Sequence, residues 1–357
     1  MKEYEFIPYR QPKILKNKSP FWLHLLLFLL TFITTTIAGT QWHMKNYLDV
    51  ANWHYGLTYA FLVMLFLTSH EMGHFIASKI HKVDASLPYF IPVPFPDLLN
   101  PFGTFGAVIA TRSPIPNRKA LFDIGIAGPI AGFLVSVAIL AIGFNTLPPK
   151  EFIYTIHPEY LTNFNGEIPS TGLHFGDNLI FFIFSKLFTN PGSWIPPMNE
   201  IYHYPFLCVG WFGLFVTLLN LLPFGQLDGG HIFYALFGKH QYTIARFLWW
   251  LIMLFGLGSV FSSLLTLLEQ VDYPSPLYIW MQDHLVPLLR NLKQLIPFWF
   301  EAWGGWLFWA IITRIFIKLP HPYIPNSSSI SSFRFTLGLL AILILILSFT
   351  PNGIYFK

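Results

Sequence analysis

Charged residues are scarce in this chain. Asp, Glu, Lys and Arg make up 11% of 357 residues, while 54% are hydrophobic. Soluble domains carry about 25% charge, so an ordinary water-facing surface is excluded. Several uncharged stretches approach or exceed the length needed to cross a bilayer. Cysteine is nearly absent. The one Cys208 excludes an intramolecular disulfide and any cysteine-cluster metal site; its apolar setting reads as packing. Also missing is a Lys/Arg-rich run interleaved with aromatics. The formal net charge of +4 therefore reflects basic residues beside apolar segments, not a nucleic-acid footprint. No internal repeat has a useful period. The first twenty residues are polar and basic, and the apolar run after them is too long for a signal core and lacks a small-residue cleavage site. A retained first span is expected.

What is present is a series of apolar runs. Seven spans are expected, at about 21–39, 57–80, 120–144, 205–222, 245–267, 298–318 and 333–350. Leu179 to Leu187 is too brief to cross and is expected at the interface, as is the proline-broken stretch 273–296. Ser327 to Ser332 forms a short polar connector after Asn326. The connection 145–204 is too irregular and too short for an independent module. With the N-terminus in the cytoplasm, inside segments hold 15 basic residues against 6 outside, an orientation consistent with the positive-inside bias. The inside set comprises Lys2, Arg10, Lys13, Lys16, Lys18, Lys79, Lys82, Arg112, Arg118, Lys119, Lys239, Arg246, Arg314, Lys318 and Arg334. The expected setting is an integral, multi-pass protein, with a bacterial plasma membrane favoured.

Within the second run lies His70-Glu71-Met72-Gly73-His74. H-E-x-x-H on a helix sets two imidazoles on one face, within reach of one Zn²⁺. The glutamate between them is then placed to act as general base on a metal-activated water. A chance match is the bland alternative. Cost argues against it, because ionisable groups inside a span are expensive and usually mark a site. The other candidates in the spans are mainly Asp123, Asp228 and Glu301.

A catalytic zinc site usually takes three protein ligands. Asp228 is the best third candidate, in Asn220-Leu221-Leu222-Pro223-Phe224-Gly225-Gln226-Leu227-Asp228-Gly229-Gly230-His231. This stretch ends the fourth span on the same side as HEMGH. Pro223 and Gly225 break the helix, and Gly229-Gly230 permit a tight turn. An ordinary helix-ending turn with a solvated Asp is the alternative. Glu301 would be the third ligand in a different metalloprotease class. His231 is expected beside the ligands or at the interface rather than among them. Gly128 and Gly132, backed by Ala127 and Ala131, form a small-residue face for close helix packing, with Pro129 expected to bend the helix. Residues 87–109 hold Pro88, Pro92, Pro94, Pro96 and Pro101 between apolar side chains. They read as a non-helical, re-entrant segment with strand character at its GTFGAVIA end.

The pair HEMGH and NLLPFGQLDGGH resembles the site-2 proteases, intramembrane zinc metalloproteases with H-E-x-x-H in one span and N-x-x-P-x-x-x-x-D-G in a later one. Both patterns match at every defining position. The resemblance extends to Phe102–Ile109 and Gly125–Gly132 and covers roughly 57–235. It implies an all-α polytopic membrane fold, about seven transmembrane helices around a three-helix catalytic core, with a short re-entrant β-like segment. It implies one Zn²⁺ per chain on His70, His74 and Asp228, Glu71 as the base, and Asn220 steadying the substrate or the oxyanion. It also implies that the 87–109 sheet edge binds an unwound substrate.

The expected activity is hydrolysis of a peptide bond within or near the transmembrane helix of a single-span membrane protein, releasing a cytoplasmic fragment. The bilayer is the other partner, and no nucleic acid is expected. An inactive zinc-binding scaffold or a transporter is the alternative. An intact Glu71 argues against the scaffold, and the shortage of intramembrane carboxylates argues against the transporter. The expected division is a cytoplasmic segment 1–20, a first span and external loop 21–56, a catalytic membrane core 57–235 and additional spans 236–357.

Overall fold

The computed structural model describes residues 19–93, 100–270, 275–324 and 329–357. Most of these are helical. The basic residues Lys2, Arg10, Lys13, Lys16 and Lys18, prolines 94 and 96, and the start of the 326–332 connector lie outside the described residues. Four helices are long and apolar enough to cross a membrane: α1 Phe21–Trp42, α2 Leu57–Ile80 with the 3-10 turn Val50–Gly56 leading into it, α3 Arg118–Asn145, and α9 His240–Gln270. The chain is an all-α polytopic membrane protein with a few short strands.

Three of the seven expected spans are shorter as helices. The fourth becomes α7 Pro205–Leu221, 17 residues, about 25 Å long at 1.5 Å per residue, against a hydrocarbon core of about 30 Å. The sixth divides into α11 Pro297–Phe300, α12 Gly305–Ile312 and a π-turn Thr313–Ile317. The seventh is α13 Ser332–Leu347, 16 residues. The difference has one physical origin. Apolar residues beyond a helix end count toward a hydrophobic run, but α7 stops two residues before Pro223, and the turn at residues 301–304 separates α11 from α12. The expected broken stretch 273–296 is instead largely a helix, α10 Pro276–Leu295, continuous through Pro287.

Helix α3 is the hub. It opens with Asn117 capping Ala120 N–H at 2.9 Å and runs unbroken through Pro129. It packs on α2, on α7, and on α8 Asp228–Phe237. Small residues make this possible: a Cβ at Gly73 of α2 would lie 2.5 Å from the Ala127 carbonyl oxygen of α3. The core between these helices is aromatic and aliphatic, with Phe66, Leu140, Trp211 and Cys208 fully buried.

Between α2 and α3, strands β1 Tyr89–Pro92 and β2 Thr104–Val108 pair antiparallel, with a bulge between Phe90 and Pro92. The hairpin lies against α1, where Thr34 Oγ1 donates to Gly103 O at 2.7 Å. The 145–204 connection holds α4 Glu151–Ile156, α5 Glu159–Asn163, β3 Leu173–Phe175 and α6 Leu179–Phe188. Its Ile153, Tyr160, Phe175 and Ile201 are buried in the main core, so it is an extension of the helical body. Strand β3 pairs with β4 Ile354–Phe356 at the chain's far end, a contact that nothing in these three-residue stretches announces.

Candidate metal centre

Thirteen residues into α2, the helix period turns His70 and His74 to the same side, both buried. Their Nε2 atoms are 3.1 Å apart. Asp228 arrives from the other side, as the first residue of α8. It gets there because α7 stops at Leu221 and the chain turns through Pro223 and Gly225, the latter at φ +47°. One Asp228 oxygen lies 3.3 Å from His70 Nε2 and 3.3 Å from His74 Nε2. The three donors thus form a compact triangle.

The neighbourhood fixes the orientation of these groups. His74 Nδ1–H donates to the Ile124 carbonyl at 2.7 Å, so in the neutral ring the Nε2 lone pair faces the triangle. Such a bond on the remote nitrogen is the usual way a ligating histidine is aimed. The buried Nδ1 of His70 has no partner. With His70 carrying its proton on Nδ1, two imidazole lone pairs and a carboxylate oxygen face one another, a donor set that a bound cation satisfies together. Nitrogen and carboxylate donors in a three-residue set suit zinc, so the residues present fit that ion.

The glycines of α3 make the space. A Cβ at Gly128 would lie 2.0 Å from His74 Nε2, one at Gly132 3.0 Å from His70 Nδ1, and one at Gly125 2.8 Å from His231 Cβ. What reads in the sequence as a packing face is therefore also the wall against which the histidine rings stand.

Glu71 is buried beside the triangle, with its carboxyl in hydrogen-bonding reach of the Ile109 backbone, one residue past β2. The strand end and the glutamate thus meet. Asn220, near the end of α7, sets its Nδ2 3.4 Å from His70 Nε2. His231 stands apart from the triangle, with its Nδ1 2.7 Å from His321 Nε2. Glu301, the alternative third ligand, is exposed in the turn after α11 and outside the group.

Two contributors escaped the sequence reading. Gln241, fully buried, donates to Pro223 O at 2.7 Å and Leu319 O at 2.9 Å and accepts from His321 N–H at 3.1 Å. It ties the Asp228 loop to the segment after the π-turn. His321 supports His231 from the same segment. A lone Gln at a helix start and a His after a Lys-Leu-Pro carry no motif, so no local signal marks them.

Comparison with known proteins gives the following. A family model described as Peptidase family M50 matches residues 58–258. A rice protein (Oryza sativa subsp. japonica) named "Probable zinc metalloprotease EGY1, chloroplastic" is 32% identical over 266 residues, 73% of this chain and 39% of the relative. The Arabidopsis thaliana protein of the same name is 34% identical over 184 residues, 52% of this chain and 30% of the relative. Another from Arabidopsis thaliana, "Probable zinc metalloprotease EGY2, chloroplastic", is 27% identical over 266 residues, 70% and 43% respectively. The chain thus spans about two fifths or less of the length of the first two. These names place the relatives in the chloroplast, and they give no support to the bacterial plasma membrane expected from the sequence. No solved structure matches.

Proposed function

The chain belongs to peptidase family M50, and from that premise we propose that it is an intramembrane zinc endopeptidase acting on the unwound transmembrane segment of a single-span protein. The observation that carries this reading is the convergence of His70, His74 and Asp228 from two separate helices, with Glu71 on the same turn as the histidines.

In this reading His70, His74 and Asp228 hold one Zn²⁺. The bound ion supplies Lewis acidity and lowers the pKa of a water to about 7. The proton work falls to Glu71. Its carboxylate accepts a proton from the attacking water as the new C–O bond forms, then delivers it to the departing amine as the C–N bond breaks. The Asn220 amide, beside His70, donates to the oxygen on which negative charge develops. The β1–β2 hairpin offers its edge to the substrate. A helix hides its carbonyl carbons behind intact hydrogen bonds, so the unwound segment needs replacement partners in a dry setting. Since Ile109 follows β2 and reaches Glu71, a strand laid along the hairpin passes the base.

Orientation follows from the Lys/Arg bias. The metal group lies toward the basic side of the membrane, water reaches it from there, and the released fragment departs on that side. Substrates with Gly, Pro or Asn weakening the helix at that depth are preferred.

The test is metal content and cleavage of a helix-destabilised transmembrane peptide, side by side, on the chain purified in detergent. Wild type is expected to hold zinc and cut, Glu71→Gln to hold zinc without cutting, and Asp228→Ala to lose the ion. Cleavage by Glu71→Gln at the wild-type rate would sink the role given to Glu71, and a wild type that neither holds zinc nor cuts would favour a non-enzymatic scaffold or transporter.

A further inference from the structure

Away from the HEMGH triangle, a second set of donors converges with comparable geometry. His157 lies between α4 and α5, while Glu200 precedes and His203 closes the 3-10 turn Ile201–His203 that leads into α7. His157 is 8%, Glu200 1% and His203 0% exposed. The two Nε2 atoms stand 2.9 Å apart. One Glu200 oxygen lies 3.4 Å from His203 Nε2 and 4.0 Å from His157 Nε2.

The outward-facing atoms of the trio have partners outside it, and the inward-facing ones meet only one another. His203 Nδ1 bonds the Trp42 carbonyl, which can only accept, so this nitrogen carries the proton and Nε2 presents a lone pair. His157 Nδ1 bonds the Glu159 carboxyl at 2.7 Å, which likewise leaves its Nε2 free in the neutral ring. Glu200 Oε1 accepts from the Tyr160 hydroxyl at 2.8 Å, while its other oxygen is buried without any hydrogen-bond partner. Carboxylate–histidine, carbonyl–histidine and hydroxyl–carboxylate bonds of this kind are what hold ligands to a metal. Two nitrogens on a tetrahedral zinc are about 3.3 Å apart, close to the separation here.

We propose that His157, Glu200 and His203 form a second metal site, which takes a divalent ion of the zinc class and is structural rather than catalytic. Imidazole and carboxylate donors select such an ion over calcium or magnesium. Burial of all three ligands bars a substrate, which gives the ion a binding role in the fold. That role is to staple three segments distant in sequence: the α4–α5 turn, the lead-in to α7, and, through the Trp42 carbonyl, the end of α1. A stretch of irregular chain with little core of its own is where such a staple adds most.

The experiment counts metals by plasma mass spectrometry on the full chain in detergent, after equilibration with Zn²⁺ and desalting. Wild type is expected to hold about two ions per chain, and Glu200→Gln about one. The His70→Ala/His74→Ala variant leaves the second trio untouched. It is expected to keep about one ion and to lose it when Glu200→Gln is added. A metal-free His70→Ala/His74→Ala protein overturns the proposal, with the trio then held by a shared proton. So does a count that Glu200→Gln leaves unchanged in either background. Failure of the first centre reads differently: the ion then vanishes with Glu200→Gln alone and is indifferent to His70 and His74.

Discussion

One methyl group tests how closely the histidine rings are fitted to α3. At Gly128 it would fall 2.0 Å from His74 Nε2, the atom that faces the metal position. Gly128→Ala is therefore expected to lower zinc affinity by about 10–100-fold, the range seen when ligand orientation is disturbed. Gly132→Ala is expected to do less, since its methyl meets His70 Nδ1 at 3.0 Å. Competition with a chromogenic zinc chelator reads both. Glu71→Gln changes the proton carrier and no ligand, so turnover is expected to drop about 10²–10⁴-fold at unchanged zinc content, read by peptide cleavage beside metal analysis. At this scale the sequence was informative where chemistry restricts residue type. Metal ligands come from a few residue types, here His and Asp, and i, i+4 spacing on a helix is a visible pattern. Gln241 and His321 were silent because their contacts exist only once distant segments meet.

Among the elements, α13 is latched to α3 by a charged pair. Arg334 holds Asp123 through two bonds, 2.8 and 2.7 Å, and His81 from the end of α2 adds a third at 2.8 Å. Both side chains of the pair are about a quarter exposed, so screening limits its worth to about 1 kcal/mol. Arg334→Gln is expected to lower thermal stability in detergent by that amount. The double change with Asp123→Asn should cost less than the two single effects added, because no charge is left alone. The β1–β2 hairpin makes a separate prediction. Phe105 and Val108 of β2 are more than half exposed among the described residues, an apolar surface. Phe105→Glu is expected to reduce kcat/KM for a transmembrane peptide at least several-fold while zinc content stays constant, measured by steady-state cleavage. Element type was legible from the apolar runs and the proline density of 87–109. Element length was less so. An apolar run measures what avoids water, whereas a helix ends where backbone bonding ends, as before Pro223 and after Phe300. The β3–β4 pair was out of reach, since its register depends on bringing residue 173 beside residue 356.

For the molecule as a whole, the loop carrying Asp228 is anchored by chain far beyond it. Gly225 N–H bonds Leu319 O at 3.0 Å, and Gln241 joins Pro223 O to Leu319 O. The space over Gly225 is filled by the Lys318 carbonyl, 2.3 Å from where a Cβ would stand. The match to the family ends at residue 258, well short of Lys318 and Leu319. Modularity is what this arrangement denies. A minimal version of the chain cut after Gln270 would retain all three donors and Glu71, yet its third donor would ride on a loop that has lost its contacts with Lys318 and Leu319. Such a truncate is expected to bind zinc at least ten times more weakly than the full chain, checked by the same chelator competition. Equal affinity would mean that the loop holds its shape unaided. The last quarter of the sequence, which reads as interchangeable membrane ballast, is in this sense part of the tool that grips the ion.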